Sequence, residues 1–314
     1  MTPQDFFTEF EEETRGKTLS RKEIEKLKNV LCKKHSLPHV PTNIEIGTNV
    51  PTARLITKPM RSQSGVAPIA VMTKPYACPH GKCTFCPGGI GSVFGDVPQS
   101  YTGHEPSTLR AMRNQYDSYL IVMNRLEQYA LLGHSFEKVE LIIQGGTFPA
   151  MTVEYQEEVI TNCLKAMNDF SEMFFTPEFN MVKFKEFFEL PGNIRDDDRK
   201  TRILDRILSL KNPSTLECEQ DRNETARIRC LGLTIEPKPD WGKLPHANEL
   251  LRLVCTRVEV GVQTIYDRVL KKTNRGHSIS DTIECFRILK DVGFKINAHL
   301  MPGLPDTTYE EDVA

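Results

Sequence analysis

No stretch of this 314-residue chain approaches the ~20 consecutive apolar residues that a helix needs to cross a bilayer, so a helical membrane protein is excluded as a reading. The first thirty residues are charged and carry no apolar signal core, and the expectation is a cytoplasmic protein. Paired cysteines are lacking too. Nine cysteines, an odd number in a sizeable chain, fit reduced thiols rather than a disulfide framework. Carboxylates are missing from one window. From Ile46 to Gly95 there is no Asp or Glu, although the chain has 42 of them; acids scattered at random would put about six or seven in a window of fifty. The same window carries Arg54, Lys58, Arg61, Lys74 and Lys82. An acid-free basic surface suits a polyanion, nucleic acid foremost. The competing reading is chance combined with a loop that excludes carboxylates for the sake of its chemistry. The net charge of −2 decides nothing about partners, and 39% hydrophobic with 26% charged residues is the balance of a soluble globular chain.

Inside the acid-free window lies Cys78-Pro-His-Gly-Lys-Cys83-Thr-Phe-Cys86-Pro-Gly-Gly, a C-x4-C-x2-C spacing. Thiolates at short spacing let one loop wrap a metal centre. Proline and glycine keep this loop out of helix and regular strand, leaving backbone N–H groups free to turn toward bound sulfur. Three thiolates would leave a cubic iron–sulfur cluster with one unligated iron. An open iron can chelate the amino and carboxylate groups of S-adenosylmethionine and reduce its sulfonium to give a 5′-deoxyadenosyl radical. Structural zinc is the alternative at this point; it wants four protein ligands, and His80 or His104 would supply the fourth.

Residues 1–15 are acidic and 17–35 basic. Ser20 followed by Glu23 reads as a capping box, and Ile24, Leu27, Val30 and Leu31 as the apolar stripe of a short helix with a basic face, either an RNA-contacting face or an ordinary solvated one. Beyond the window, apolar strands alternate with amphipathic helices. Strands are predicted at Val66–Met72, Val139–Ile143, Cys230–Ile235, Arg257–Val260 and Lys295–Leu300. Helices are predicted at Ser107–Leu132, Val153–Phe170 and Ser280–Val292, with helical pieces near 199–210 and 214–227 in a charged insertion, 171–229, and a new helix beginning where the chain stops. The alternation predicts a parallel sheet with right-handed crossovers, curved into a partial TIM-like barrel with outer helices and one mouth. Two regions are expected: an N-terminal helical extension over 1–60 and a core over 61–314.

Such sheets carry their chemistry at the carboxyl ends of strands. Here each predicted strand runs into an unusual feature: the cysteine loop, Gly145-Gly146-Thr147, Glu236, Gln263 and Met301-Pro302-Gly303-Leu304-Pro305. Glycines let a backbone approach a ligand, a carboxylate can accept from two ribose hydroxyls, and a glutamine can hydrogen-bond a ligand; a tight turn, an exposed terminus and a satisfied backbone are the structural alternatives. His277 lies in a loop, and His299, in an apolar strand, reads as a satisfied core histidine. Cys32, Cys163, Cys218, Cys230, Cys255 and Cys285 read as small buried hydrophobes.

Taken together, the motifs resemble one family. Phe85 before the last cysteine of the loop resembles the radical S-adenosylmethionine enzymes. The longer strings Met72-Thr-Lys-Pro-Tyr-Ala-Cys-Pro-His, Cys86-Pro-Gly-Gly, Gln99-Ser-Tyr-Thr-Gly-His-Glu-Pro, Gly145-Gly-Thr-Phe, Leu233-Thr-Ile-Glu-Pro-Lys-Pro-Asp, Glu259-Val-Gly-Val-Gln and Thr273-Asn-Arg-Gly-His resemble the Elongator catalytic subunit family in its archaeal form, from about Ile46 onward. The resemblance implies a radical S-adenosylmethionine barrel and an enzyme that carboxymethylates carbon 5 of the wobble uridine in the transfer RNA anticodon, with acetyl-CoA as carbon donor. It implies a [4Fe–4S] cluster on Cys78, Cys83 and Cys86, S-adenosylmethionine against Gly145, Gly146, Glu236 and Gln263, and Lys74 close to the adenosyl group or substrate. The basic window with Lys58 and Arg61, and the helix with Lys26 and Lys33, would face the anticodon stem-loop. The assemblies it suggests are a homodimer or an Elongator-type complex, away from any membrane.

Three departures qualify the match. The family's acetyltransferase-like domain and last barrel strand are not seen in this sequence; the Cys78–Cys83 gap is four residues where three is common in radical enzymes; and Thr147 stands where many of those enzymes have a carboxylate. The rival readings are another radical enzyme on a small molecule, of the porphyrin-precursor oxidase type, and a non-catalytic zinc-containing RNA-binding module.

Overall fold

The structure is a computed structural model and describes residues 3–17, 19–50, 62–192 and 196–313. In chain order it opens with α1 (Pro3–Thr14), α2 (Arg21–Lys34) and α3 (Asn43–Asn49). The sheet begins at β1 (Ala67–Met72), and α4 (Pro106–Arg113) and α5 (Ser118–Leu132) lead to β2 (Lys138–Gln144). Next come α6 (Val153–Phe174), α7 (Met181–Phe187), α8 (Asp197–Leu210), α9 (Leu216–Thr225) and β3 (Arg229–Ile235). The chain continues through α10 (Leu244–Arg252), β4 (Arg257–Gln263), α11 (Asp267–Lys272), α12 (Ile279–Val292), β5 (Lys295–Leu300) and α13 (Tyr309–Val313). Among the described residues no helix is long and apolar enough to cross a membrane.

The chain packs as two compact units. The first takes residues up to Ala67 together with 123–137 and 169–212, so the helices of the expected 1–60 extension pack with later segments. Its Ser20 hydroxyl accepts from the Glu23 N–H at 3.3 Å while the Glu23 carboxylate accepts from the Ser20 N–H at 2.7 Å, the capping box read from sequence. The stripe is partly different from expectation: Val30 is exposed, and Lys28 turns inward to Glu25 and Asn43 while Cys32 joins the core. That core is Phe6, Phe10, Leu31, Cys32, Ile46 and Val50. A second one is built of rings: Phe174 lies 4.6 Å from Phe170, 5.5 Å from Phe184 and 5.9 Å from Phe188, mostly edge-on or tilted as aromatic quadrupoles prefer.

The second unit, 68–122 with 138–168 and 213–314, holds the sheet. Five strands lie in the order β1-β2-β3-β4-β5, and β2 through β5 pair in parallel, with helices between successive strands. The α/β architecture of parallel strands and surrounding helices is the one the alternation predicts. Leu141, Ile143, Leu233, Ile235, Val258 and Val260 are buried, whereas β5 is exposed along most of its length.

Four local expectations are corrected. The single helix over Ser107–Leu132 is two helices, because Gln115 (φ 53°) and Tyr116 (φ 57°) adopt left-handed conformations that end α4; Leu109 and Met112 then face solvent. The strand expected to end at Val260 runs on to Gln263. His299 is no core histidine: it is exposed on β5, with Nε2 2.9 Å from a Glu259 carboxylate oxygen. Cys218 is exposed and Cys230 half-buried, unlike the four other isolated cysteines.

Candidate functional site: a three-thiol loop at the strand ends

Strand β1 ends in a backbone bond from the Thr73 N–H to the Gln144 carbonyl, and the chain then leaves the sheet as the cysteine loop. Turns close it locally: the Gly81 N–H donates to the Cys78 carbonyl and the Cys86 N–H to the Cys83 carbonyl. Long-range bonds pin its far side to the segment after α11, with the Thr84 N–H on the Thr273 carbonyl at 3.0 Å and the Asn274 Nδ2 on the Lys82 carbonyl at 2.9 Å. Cys83 and Cys86 are buried and Cys78 half-buried, all three as free thiols.

Nitrogen donors surround the sulfurs. Gln99, itself buried, donates from Nε2 to the Cys86 sulfur at 3.2 Å. His80 Nε2 lies 3.3 Å from the Cys83 sulfur, and the Arg275 Nη1 donates to it at 3.8 Å. The Thr147 hydroxyl is 3.9 Å from the Cys78 sulfur. Burial pushes the Cys78 thiol up, with Thr147 and the nearby Lys238 ammonium opposing. His277 is buried and held down at about 3 by burial and by the Arg275 and Lys238 charges. Among the described residues no three Cys, His, Asp or Glu side chains converge on one point as ligands of a single ion would. A cubic cluster asks for something else, one thiolate at each of three irons, and N–H donors and cations aimed at sulfur are what such thiolates need. The donor set fits that group.

The other sequence-predicted residues are distributed unevenly. Gly145 (φ 122°) follows β2; a Cβ there would stand 2.2 Å from the Thr73 hydroxyl, so both the conformation and the space demand glycine. Its carbonyl accepts from Thr73 Oγ1 at 3.3 Å, and the left-handed Gly146 sits against Gln99. Glu236 follows β3, largely shielded, and its carboxyl is pushed up to about 7 by burial and by Glu259, against the pull of His299. Gln263 closes β4 with φ 73°, a left-handed conformation rare for a side-chain-bearing residue, and its carbonyl accepts from the Met301 N–H at 2.8 Å. Lys74 is engaged elsewhere: its ammonium lies 4.1 Å from the Tyr155 ring centroid and its N–H donates to the Tyr155 hydroxyl. Lys26 and Lys33 are exposed on α2. Lys58 and Arg61 lie outside the described residues.

Residue-by-residue reading missed the partners of the sulfurs. Gln99, Lys238 and Arg275 are polar residues without a motif of their own, and their only signal was membership in the longer strings around Tyr101, Glu236 and His277. His80 stood out as a zinc candidate and as the last residue of the string that begins at Met72, and it sits as a neighbour of Cys83.

A family model described as the radical SAM superfamily matches residues 72–314. The chain is 43% identical over 306 residues to the tRNA uridine(34) acetyltransferase of Methanocaldococcus infernus, covering 95% of this chain and 49% of that protein. It is 34% identical over 302 residues to the Elongator complex protein 3 of Drosophila melanogaster, covering 92% of this chain and 47% of the relative. The chain thus spans about half the length of the curated relatives it matches. Among solved structures, the archaeal Methanocaldococcus infernus Elp3 with its N-terminal residues 1–46 deleted superposes with a TM-score of 0.53 at 33% identity, over 79% of this chain and 40% of that one. The matched span begins at the last residue of β1 and includes the thiol loop and every later strand end, and on that span the chain belongs to the radical SAM superfamily.

Proposed function

We propose that this chain is the radical S-adenosylmethionine portion of an enzyme that modifies the wobble uridine of transfer RNA, carboxymethylating carbon 5 with acetyl-CoA as carbon donor. The observation that carries the reading is 43% identity along 95% of the chain to a protein named tRNA uridine(34) acetyltransferase. Membership in the superfamily brings a [4Fe–4S] cluster and S-adenosylmethionine. In this reading Cys78, Cys83 and Cys86 hold the cluster, which when loaded supplies the electron that cleaves the sulfonium of S-adenosylmethionine and frees a 5′-deoxyadenosyl radical.

This chain's own residues do the rest. Gly145 and Gly146 bring backbone close to the ligand, and one lone pair of the Gly145 carbonyl is left for an ammonium donor beyond its bond to Thr73. Glu236, when ionised, accepts from ribose hydroxyls, and Gln263 hydrogen-bonds the same ligand from the next strand. Lys74 serves the adenosyl group or substrate only after leaving the Tyr155 ring. Lys26 and Lys33 on α2, with the basic window, bind phosphates of the anticodon stem-loop, and the target base is splayed out of its stack to reach the thiol loop.

The test uses anaerobically reconstituted protein with S-adenosylmethionine, reductant and acetyl-CoA, with and without transfer RNA. We expect 5′-deoxyadenosine by chromatography, and transfer RNA binding that an isolated anticodon stem-loop competes away. Formation of 5′-deoxyadenosine with no affinity for the stem-loop would move the reading to a radical enzyme acting on a small molecule.

A further inference from the structure

The three sulfurs are not equivalent. The hydrogen-bonding neighbours of Cys78 (the Thr147 hydroxyl) and of Cys86 (the Gln99 amide and the Ser100 hydroxyl) are all neutral, although the Lys238 ammonium also acts on Cys78 through space. Cys83 alone among them is approached by a guanidinium and by an imidazole that is tied in turn to a buried ammonium.

The tie fixes a proton. Lys238 Nζ is 3.3 Å from Asp240 Oδ2 and 3.0 Å from His80 Nδ1, and its side chain is 3% exposed. An ammonium has three donors and no acceptor, so His80 Nδ1 must accept. A neutral imidazole that accepts at one nitrogen carries its proton on the other. That other nitrogen, Nε2, is the one 3.3 Å from the Cys83 sulfur. One side of the ring is closed by backbone. A Cβ at Gly276 (φ 81°) would lie 2.4 Å from His80 Cβ and 2.6 Å from Cγ, so the imidazole rests directly on that backbone. The next residue back, Arg275, is anchored by Nη2 on the Gly261 carbonyl at 2.6 Å and turns Nη1 to the same sulfur.

We propose that Asp240, Lys238 and His80 form a hydrogen-bond relay that fixes His80 as its Nε2–H tautomer and, together with Arg275, makes Cys83 the electron-poor corner of the cluster. All four are positioning residues. They act through the Cys83 sulfur, and donors to a cluster sulfur raise its reduction potential because they stabilise the added electron. The inference rests on the reading that Cys83 is a cluster ligand, and the experiment separates the two.

The first arm needs no cluster. Long-range proton–nitrogen correlation spectra of the 314-residue apoprotein labelled with 15N-histidine, with the His80 signal assigned through His80→Gln, read the tautomer directly. We expect the Nε2–H form in the wild type and loss of that single form in Lys238→Met. The second arm is a reductive titration of the reconstituted protein followed by electron paramagnetic resonance, alongside iron content. We expect a more negative midpoint in Lys238→Met and in Arg275→Met at unchanged iron. In His80→Gln the amide donates to Cys83 without needing Lys238, so adding Lys238→Met to His80→Gln should move the midpoint by less than Lys238→Met does alone, the remainder being the through-space action of the ammonium on Cys78; a merely structural role would not give that non-additivity. An Nδ1–H tautomer in the wild type overturns the proposal even if Lys238→Met does not fold, and so does an unchanged midpoint in Lys238→Met and Arg275→Met. A wild type that binds no iron removes the cluster reading, while the tautomer arm still decides the relay.

Discussion

The two units solve the problem of burial with different materials. The first buries rings: Phe170, Phe174, Phe184 and Phe188 are fully enclosed, with ring centroids 4.6 to 6.5 Å apart. The second buries hydrocarbon between sheet and helices, but at the carboxyl ends of its strands it buries amides, ammonium and imidazole: Gln99, Lys238 and His277 are all under 9% exposed. Some of those polar atoms have no partner among the described residues, including Gln144 Oε1, Asp240 Oδ1 and Arg275 Nε. Enclosing an unpaired polar atom destabilises a fold by about 1–3 kcal/mol, so a fold selected only for stability would avoid it. The first unit buries polar groups as well, Lys28, His35 and Arg199 among them, but the buried polar groups that surround the three thiols belong to the second.

Phe174→Ala should give the largest stability effect. A fully buried phenylalanine cut to alanine loses about 3–5 kcal/mol, since the cavity cannot close against other rigid rings. Chemical unfolding of the apoprotein checks it. Iron bound per folded chain should not change. A stable Phe174→Ala protein that binds less iron would erase the contrast between the units.

A smaller effect with an inverted sign is expected at the site. The Glu236 carboxyl titrates at about 7 in the fold against an ordinary value of 4.5. Its folded value is raised, so its contribution to stability is fully present below the ordinary value and is lost as pH rises through about 7. Glu236→Gln cannot ionise. Its urea midpoint should therefore exceed that of the wild type increasingly from roughly pH 5 to pH 8, and the gap should be at its narrowest near pH 4. A gap that stays constant with pH would mean that Glu236 is solvated in the fold.

These same contrasts explain what was legible in the sequence. The strands were legible because apolar runs flanked by turn residues mark the strands of a parallel sheet, as at Val139–Ile143 and at Cys230–Ile235, the latter buried only from Leu233 onward. The cysteine loop was legible because its spacing is chemical. The break between α4 and α5 was hidden, because a helical stripe continued through Tyr116 while the backbone turned left-handed at Gln115 and Tyr116. The phenylalanine cluster hid in a charged segment that reads as an irregular insertion, since rings from α6, α7 and the turn between them meet only in three dimensions. The relay was hidden for the same reason: His80, Lys238 and Arg275 are far apart in the chain, and no periodicity links them.

The smallest effect belongs to the surface of the first unit. Lys26→Glu with Lys33→Glu should leave stability and iron unchanged and weaken transfer RNA binding, most visibly at low salt. Each lost phosphate contact should lower the slope of log affinity against log salt by roughly one. An unchanged slope would show that RNA docks away from α2.

Everything proposed for the site requires Cys78, Cys83 and Cys86 to act together as one ligand set. The most direct test compares iron content, visible absorption and 5′-deoxyadenosine formation in the wild type and in the triple Cys78→Ser, Cys83→Ser, Cys86→Ser protein, both reconstituted anaerobically. We expect about four irons per chain with a broad shoulder near ~400 nm and cleavage of S-adenosylmethionine in the wild type, and loss of all three in the variant. Equal iron in the two proteins, or a colourless wild type holding zinc, would contradict it.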